Sequence, residues 1–195
     1  MARVRYLSAK DAATPAAKAL WRRLETERPL PTANVFRAVA HAPAVLDASL
    51  TYADALRQSD LDPSLRELAI LTVGLASGVE YEVAHHAAHA VRAGVRADQL
   101  DALQDFRASD AFNARERAVM RVAFESTVNV FVADDIWADA SAHLSDREMV
   151  ELALTIGFYN NGVRLMAMLN IDLESDYAEA PVEAGQAAFQ KGRGG

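Results

Sequence analysis

From Thr14 to Leu169 apolar residues recur at spacings of three and four and almost nowhere alternate. Side chains three and four apart share one face of a helix, so this period lets helix after helix turn one side to a core. Alanine is abundant, whereas glycine and proline number only 9 and 6, and backbone propensity points the same way. The expected fold class is all-α. Helices are expected over 14–27, 34–40, 43–58, 62–77, 80–93, 98–105, 114–129, 134–144 and 146–169. Pro15 and Pro63 stand at first-turn positions, and Gly78 and Gly94 at stops. Residues 28–31, Arg-Pro-Leu-Pro, read as a loop. At 195 residues the chain has the length of one domain. The expected organisation is a single helical domain over 1–175 and an extended or disordered tail over 176–195.

One internal echo stands out. Ser64, Leu65, Arg66, Glu67, Leu68 and Leu71 reappear 81 residues later as Ser145, Asp146, Arg147, Glu148, Met149 and Leu152. Two related helical halves packed together would produce it; so would chance, for a match this short. The copies diverge beyond it, with Asn160, Asn161 and Arg164 standing where the first has Val79, Glu80 and Val83.

The chain has no cysteine, which excludes disulfides, iron–sulfur clusters, thiolate zinc sites and any thiol nucleophile. Its 20 basic against 27 acidic residues give a charge of −7, a poor balance for neutralising phosphates, so no nucleic-acid partner is expected. No stretch approaches the roughly 20 apolar residues of a membrane span, and the first residues lack the apolar run of a signal peptide. A cytoplasmic protein with no membrane partner is the expectation.

Residues 80–89, EYEVAHHAAH, hold three of the five histidines. On a helical wheel Glu82, His85, His86 and His89 fall within an arc of about 100°, because their spacings are three, four and seven. The surrounding positions are small and apolar, so the stripe reads as the lining of a cleft. A solvent-facing stripe would carry lysine and arginine instead. Glu67 has two readings. A carboxylate near a helix start gains from the helix dipole; on a face shared with Ile70, Leu71 and Gly74 it is also partly desolvated and able to act as an acid or base. Arg66 is its sequence neighbour and points about 100° away.

The segment RELAILTVGLASGVEYEVAHHAAHAVRAGV, residues 66–95, together with ANVFRAVAHAPAVL before it and DREMVELALTIGFYNNGVRLMAMLNIDLE after it, resembles the carboxymuconolactone decarboxylase family, which shares the alkylhydroperoxidase D-like fold. The peroxidase branch of that fold has a glutamate, a CxxC pair and a histidine four residues on. Here the glutamate falls on Glu67 and the histidine on His86, and the cysteine positions hold Val79 and Glu82. The resemblance is therefore to a cysteine-free branch, and thiol exchange is excluded.

The resemblance implies a cofactor-independent acid–base enzyme of lyase type, acting on a small carboxylated or lactone-like metabolite. His86 is the expected proton donor, Glu82 one turn earlier its orienting partner, and Glu67 a second acid or base, which makes these three the catalytic set. His85 and His89 are assigned to substrate binding or orientation, and Arg66 or Arg164 to a substrate carboxylate. No cofactor is expected. The alternative is a metal- or ligand-binding protein without turnover, using Glu82, His86 and His89 at helical ligand spacing. Family members assemble as trimers or hexamers, so a homo-oligomer is expected.

Overall fold

The computed structural model describes residues 1–27 and 32–174. The expected 28–31 loop and 176–195 tail lie outside the described residues. Helices occupy α1 (Pro15–Glu27), α2 (Asn34–Val39), α3 (Pro43–Arg57), α4 (Pro63–Ser77), α5 (Glu80–Ala93), α6 (Ala97–Asp101), α7 (Ala114–Asn129), α8 (Asp134–Ser141) and α9 (Asp146–Leu169), with no strand among the described residues. No helix is long and apolar enough to cross a membrane among these residues.

The central element is α4. It is buried without interruption from Leu65 to Gly74, as a helix apolar on all sides must be. Asp62 starts it, its carboxylate accepting from the backbone N–H groups of Ser64 and Leu65. Gly78 stops it in a left-handed conformation, φ 66°. One side of α4, through Leu65, Ala69 and Val73, packs with Val119, Val122, Leu152 and Ile156 of α7 and α9. Another, through Leu68 and Leu71, packs with Val83 and Ala90 of α5 and with Leu103, Phe106 and Met120. A separate cluster of Leu20, Trp21, Leu24, Leu46 and Leu50 joins α1 to α3.

The helix expected over 98–105 is two pieces: α6 and a 3-10 turn at Leu103–Asp105. Leu103 and Phe106 are both fully buried, and three residues per turn place them on the same side. The two copies of the internal echo begin α4 and α9, which pack against each other. Their ends differ. Where α4 stops at Gly78, α9 runs on to Leu169.

Candidate active site

The turn at Gly78 folds α5 back along α4, and the two helices approach closely at Gly74. A methyl group there would lie 3.0 Å from Val83 Cγ2 and 3.2 Å from Glu82 Cβ. Glu67, seven residues before Gly74, is on the same face of α4. This brings two carboxylates, each on a residue only 6 % exposed, to one imidazole. His86 Nδ1 lies 2.8 Å from Glu67 Oε2, and His86 Nε2 lies 3.1 Å from Glu82 Oε1. Only the Glu67 contact is a hydrogen bond, and a carboxylate beside each nitrogen favours the protonated form of the ring.

The three proton affinities are set by one another. Burial opposes charge on His86, but the charge of Glu82, then the hydrogen bond and charge of Glu67, outweigh it and raise its pKa. Burial also pushes Glu67 up, yet its hydrogen bond to His86 and the charges of His86 and Arg66 bring it below the ordinary carboxylate value. Glu82 goes the other way: complete burial raises it against the pull of His86 and His85. Two chemically identical carboxylates thus differ in proton affinity across one ring, the arrangement that separates a standing base from an acid.

Arg66, placed away from Glu67 on the helical wheel, curls back so that its Nε is 3.8 Å from Glu67 Oε1. Its Nη1 donates to the Arg57 carbonyl at 3.4 Å, and its buried Nε has no hydrogen-bond partner. His89 is exposed at the edge of the site, with its ring centroid 5.4 Å from that of His86. Partial burial and the neighbouring His86 charge lower its pKa to about 4, so it is neutral where His86 is charged. The side chain of His86 itself is 13 % exposed. A cleft of about 370 Å³, lined by Gly78, Val79, Tyr81, Met166, Asn170 and Leu173 among others, opens at the start of α5 and does not include Glu67 or His86.

The histidine stripe is split. His85 faces the C-terminal segment, with Nε2 2.8 Å from Glu174 Oε2, and stacks on Tyr81 at 4.2 Å. Glu174 also accepts from the Tyr81 hydroxyl at 2.7 Å and from the Asn34 backbone N–H. Arg164 is not brought to the site; it is exposed on α9 and donates to the carbonyl and side chain of Asn160. Nor do the residues of the metal alternative converge. Both nitrogens of His86 already face carboxylates, and no group of three or more His, Asp or Glu among the described residues is placed to hold an ion.

Two contributors went unread in the sequence. Tyr159 of α9 meets His86 edge-on, with centroids 4.9 Å apart and planes at 86°. Arg57, last residue of α3, acts on His86 and His89 through its charge. A tyrosine inside an apolar helical run reads as core, and an arginine at a helix end reads as solvated, so neither carried a signal.

Residues 43–125 match the model of the carboxymuconolactone decarboxylase family. No curated protein matches the chain. Among solved structures, a cysteine-to-alanine variant of the debrominase Bmp8 in complex with 2,3,4-tribromopyrrole is similar at 19 % identity and a TM-score of 0.78, over 98 % of this chain and 99 % of that one. An uncharacterized peroxidase-related protein from Ralstonia eutropha JMP134, described as an alkylhydroperoxidase AhpD core, is similar at 18 % identity and a TM-score of 0.75, over 90 % and 94 %. Another peroxidase-related protein, from Silicibacter sp. TM1040, gives 19 % and 0.72, over 92 % and 98 %. At these identities the likeness is one of fold.

Proposed function

From the match of residues 43–125 to the carboxymuconolactone decarboxylase family, in a chain without cysteine, we propose that the protein is a cofactor-independent acid–base enzyme acting on a small carboxylated or lactone-like metabolite. The observation that carries this reading is the imidazole of His86 held between Glu67 and Glu82 at 2.8 and 3.1 Å. Such a site has one proton ready for transfer at neutral pH and a charged surround that keeps it there.

In the reaction that the family match suggests, the bond from ring carbon to carboxylate breaks, and CO2 leaves. Its electron pair passes through a conjugated double bond to the lactone carbonyl, giving a dienolate. His86 then delivers its proton to carbon, and solvent restores it. Glu67 stays ionised throughout and keeps the imidazole oriented; Glu82, with its raised affinity, shares the proton at Nε2. Of the two candidate arginines only Arg66, whose guanidinium lies beside Glu67, is close enough to the site to act on a substrate carboxylate through its charge. Bmp8, the debrominase neighbour, was crystallised with a flat unsaturated ring, and the edge-on Tyr159 beside His86 suits a ligand of that shape. Association between copies belongs to the same reading: Val45 and Tyr52 of α3 and Val150 and Leu154 of α9 are large apolar side chains left exposed.

The test is a panel of carboxylated unsaturated lactones and β-keto acids screened for CO2 release, with His86→Gln and Glu82→Gln beside the native chain. Loss of a positioned acid slows turnover by about 100-fold or more. Native rates in both variants, on any compound that reacts, remove the mechanism.

A further inference from the structure

α9 reaches the site through Tyr159, and four observations on that residue converge. The first is its placement. The equivalent of Tyr159 in the first copy of the internal echo is Gly78, where α4 ends. Because α9 continues through this point, it carries an aromatic ring over α5, and the ring rests edge-on against His86 at 4.9 Å. The second is its rigidity. Phe158 packs against it at 5.3 Å and is itself met by Tyr52 at 5.2 Å, both nearly perpendicular, so the phenol has a fixed direction.

The third is its hydroxyl. Buried tyrosines normally find a hydrogen-bond partner, and Tyr81, on the neighbouring face of α5, does so twice: it accepts from the Val35 N–H and donates to Glu174. The Tyr159 hydroxyl makes no hydrogen bond among the described residues. It is also absent from the sealed polar atoms that lack a partner, which are those of Ser59, Arg66, Gln104 and Arg115. Tyr159 is partly exposed, so a donor with no protein partner stands beside His86 with its hydroxyl not fully enclosed. The fourth is its protonation state. Burial, followed by the charges of Glu82 and Glu67, raises its pKa far above the ordinary phenol value, which keeps the O–H bond intact at any working pH.

We propose that Tyr159 is a further catalytic residue: its hydroxyl donates a hydrogen bond to the enolate-type oxygen that forms when His86 and its carboxylates act on the substrate. The ligand class it takes is an oxyanion conjugated to a planar ring. The inference rests on the acid–base reading above, and it adds what that reading lacks, a donor for the oxygen on which charge develops. Glu67 and Glu82 cannot serve, since both are committed to His86. Proton delivery to carbon and hydrogen bonding to oxygen then come from different halves of the chain, α5 and α9.

Tyr159→Phe keeps the ring and its packing and removes only the hydroxyl, so unchanged thermal stability is expected. The probe is 4-nitrophenol, whose phenolate mimics the conjugated oxyanion and whose absorbance reports binding. The native chain binds the phenolate, and Tyr159→Phe binds it about 10- to 100-fold more weakly, the range for a hydrogen bond to a charged group. On any compound of the lactone panel that reacts, kcat falls by at least about tenfold in Tyr159→Phe while KM stays within about twofold. Trp137→Phe, on α8 and outside the site, leaves both readings at native values. Binding and turnover in Tyr159→Phe equal to those of the native chain overturn the assignment, as does a native chain that binds no phenolate. If His86→Gln is slow while Tyr159→Phe is fast, the tyrosine alone is overturned. If His86→Gln and Glu82→Gln are as fast as the native chain, the acid–base reading falls and this inference with it.

Discussion

His86 and Glu82 are one helical turn apart on the same element, so their contact follows from spacing alone. Glu67 is different. Its position near the start of α4 explains a carboxylate without any site, and only the family resemblance pointed from it to His86; the backbone turn at Gly78 is what brings them to 2.8 Å. The pair makes a pH prediction. Of the influences that raise His86, replacing Glu67 with Gln removes a charge and turns a charge-assisted hydrogen bond into at most a neutral one, leaving burial opposed mainly by Glu82. The imidazole of Glu67→Gln therefore loses its proton at lower pH than in the native chain. A raised folded pKa gives stability that is complete below the unfolded value of about 6.5 and is lost as pH rises through the folded one. That decline moves to lower pH in the variant, and so does the basic limb of any activity that needs the cation. Titrating the His86 ring protons by NMR checks this directly; an unmoved titration refutes the coupling.

Element boundaries were legible where proline, glycine or a capping side chain marks them. Pro63 after Asp62, Gly78 and Gly94 stand where helices begin and end. They were less legible at α6, where the demand to bury Leu103 and Phe106 together overrides a helical pattern. Nor does a helical wheel show how closely two helices approach. Gly74 was visible as a member of the Glu67 face, but not as the contact point of α4 with α5. A Cβ at this position meets Val83 Cγ2 at 3.0 Å, Glu82 Cβ at 3.2 Å and the Val83 backbone nitrogen at 3.3 Å. Alanine gains about 1 kcal/mol in helix propensity over glycine, whereas overpacking costs about 1–3 kcal/mol. Here the cost wins, because one neighbour is backbone and another belongs to a side chain tied to His86. Gly74→Ala is expected to unfold at lower urea concentration with an unchanged slope, and to lose turnover through displacement of Glu82. Higher stability with native turnover would show that α5 can move away freely.

The all-α class was legible at the scale of the whole molecule because the three-and-four period persists through nearly every segment. Contacts between chain ends were not, since nothing local records them. Asp172 receives the amino terminus of Met1, the Ala2 N–H and the Tyr6 hydroxyl, and Glu174 ties the segment after α9 to α2 and α5 through Asn34, Tyr81 and His85. The second tie explains why His85 left the stripe: α5 lies between α4 and this segment, and two adjacent histidines serve one side each. Burial raises the pKa of Glu174, but hydrogen bonds from His85, the Asn34 N–H and Tyr81 outweigh it and bring it down to about 2. A lowered carboxylate gives stability that is present above the unfolded value of about 4.5 and is lost as pH falls through the folded one. Glu174→Gln is accordingly expected to cost about 1–2 kcal/mol near neutral pH. The difference from the native chain should begin to close below pH about 4.5 and vanish near pH about 2. Urea unfolding at a series of pH values measures it. A cost that stays constant down to the acid end would mean that Glu174 holds this segment by shape, with its charge playing no part.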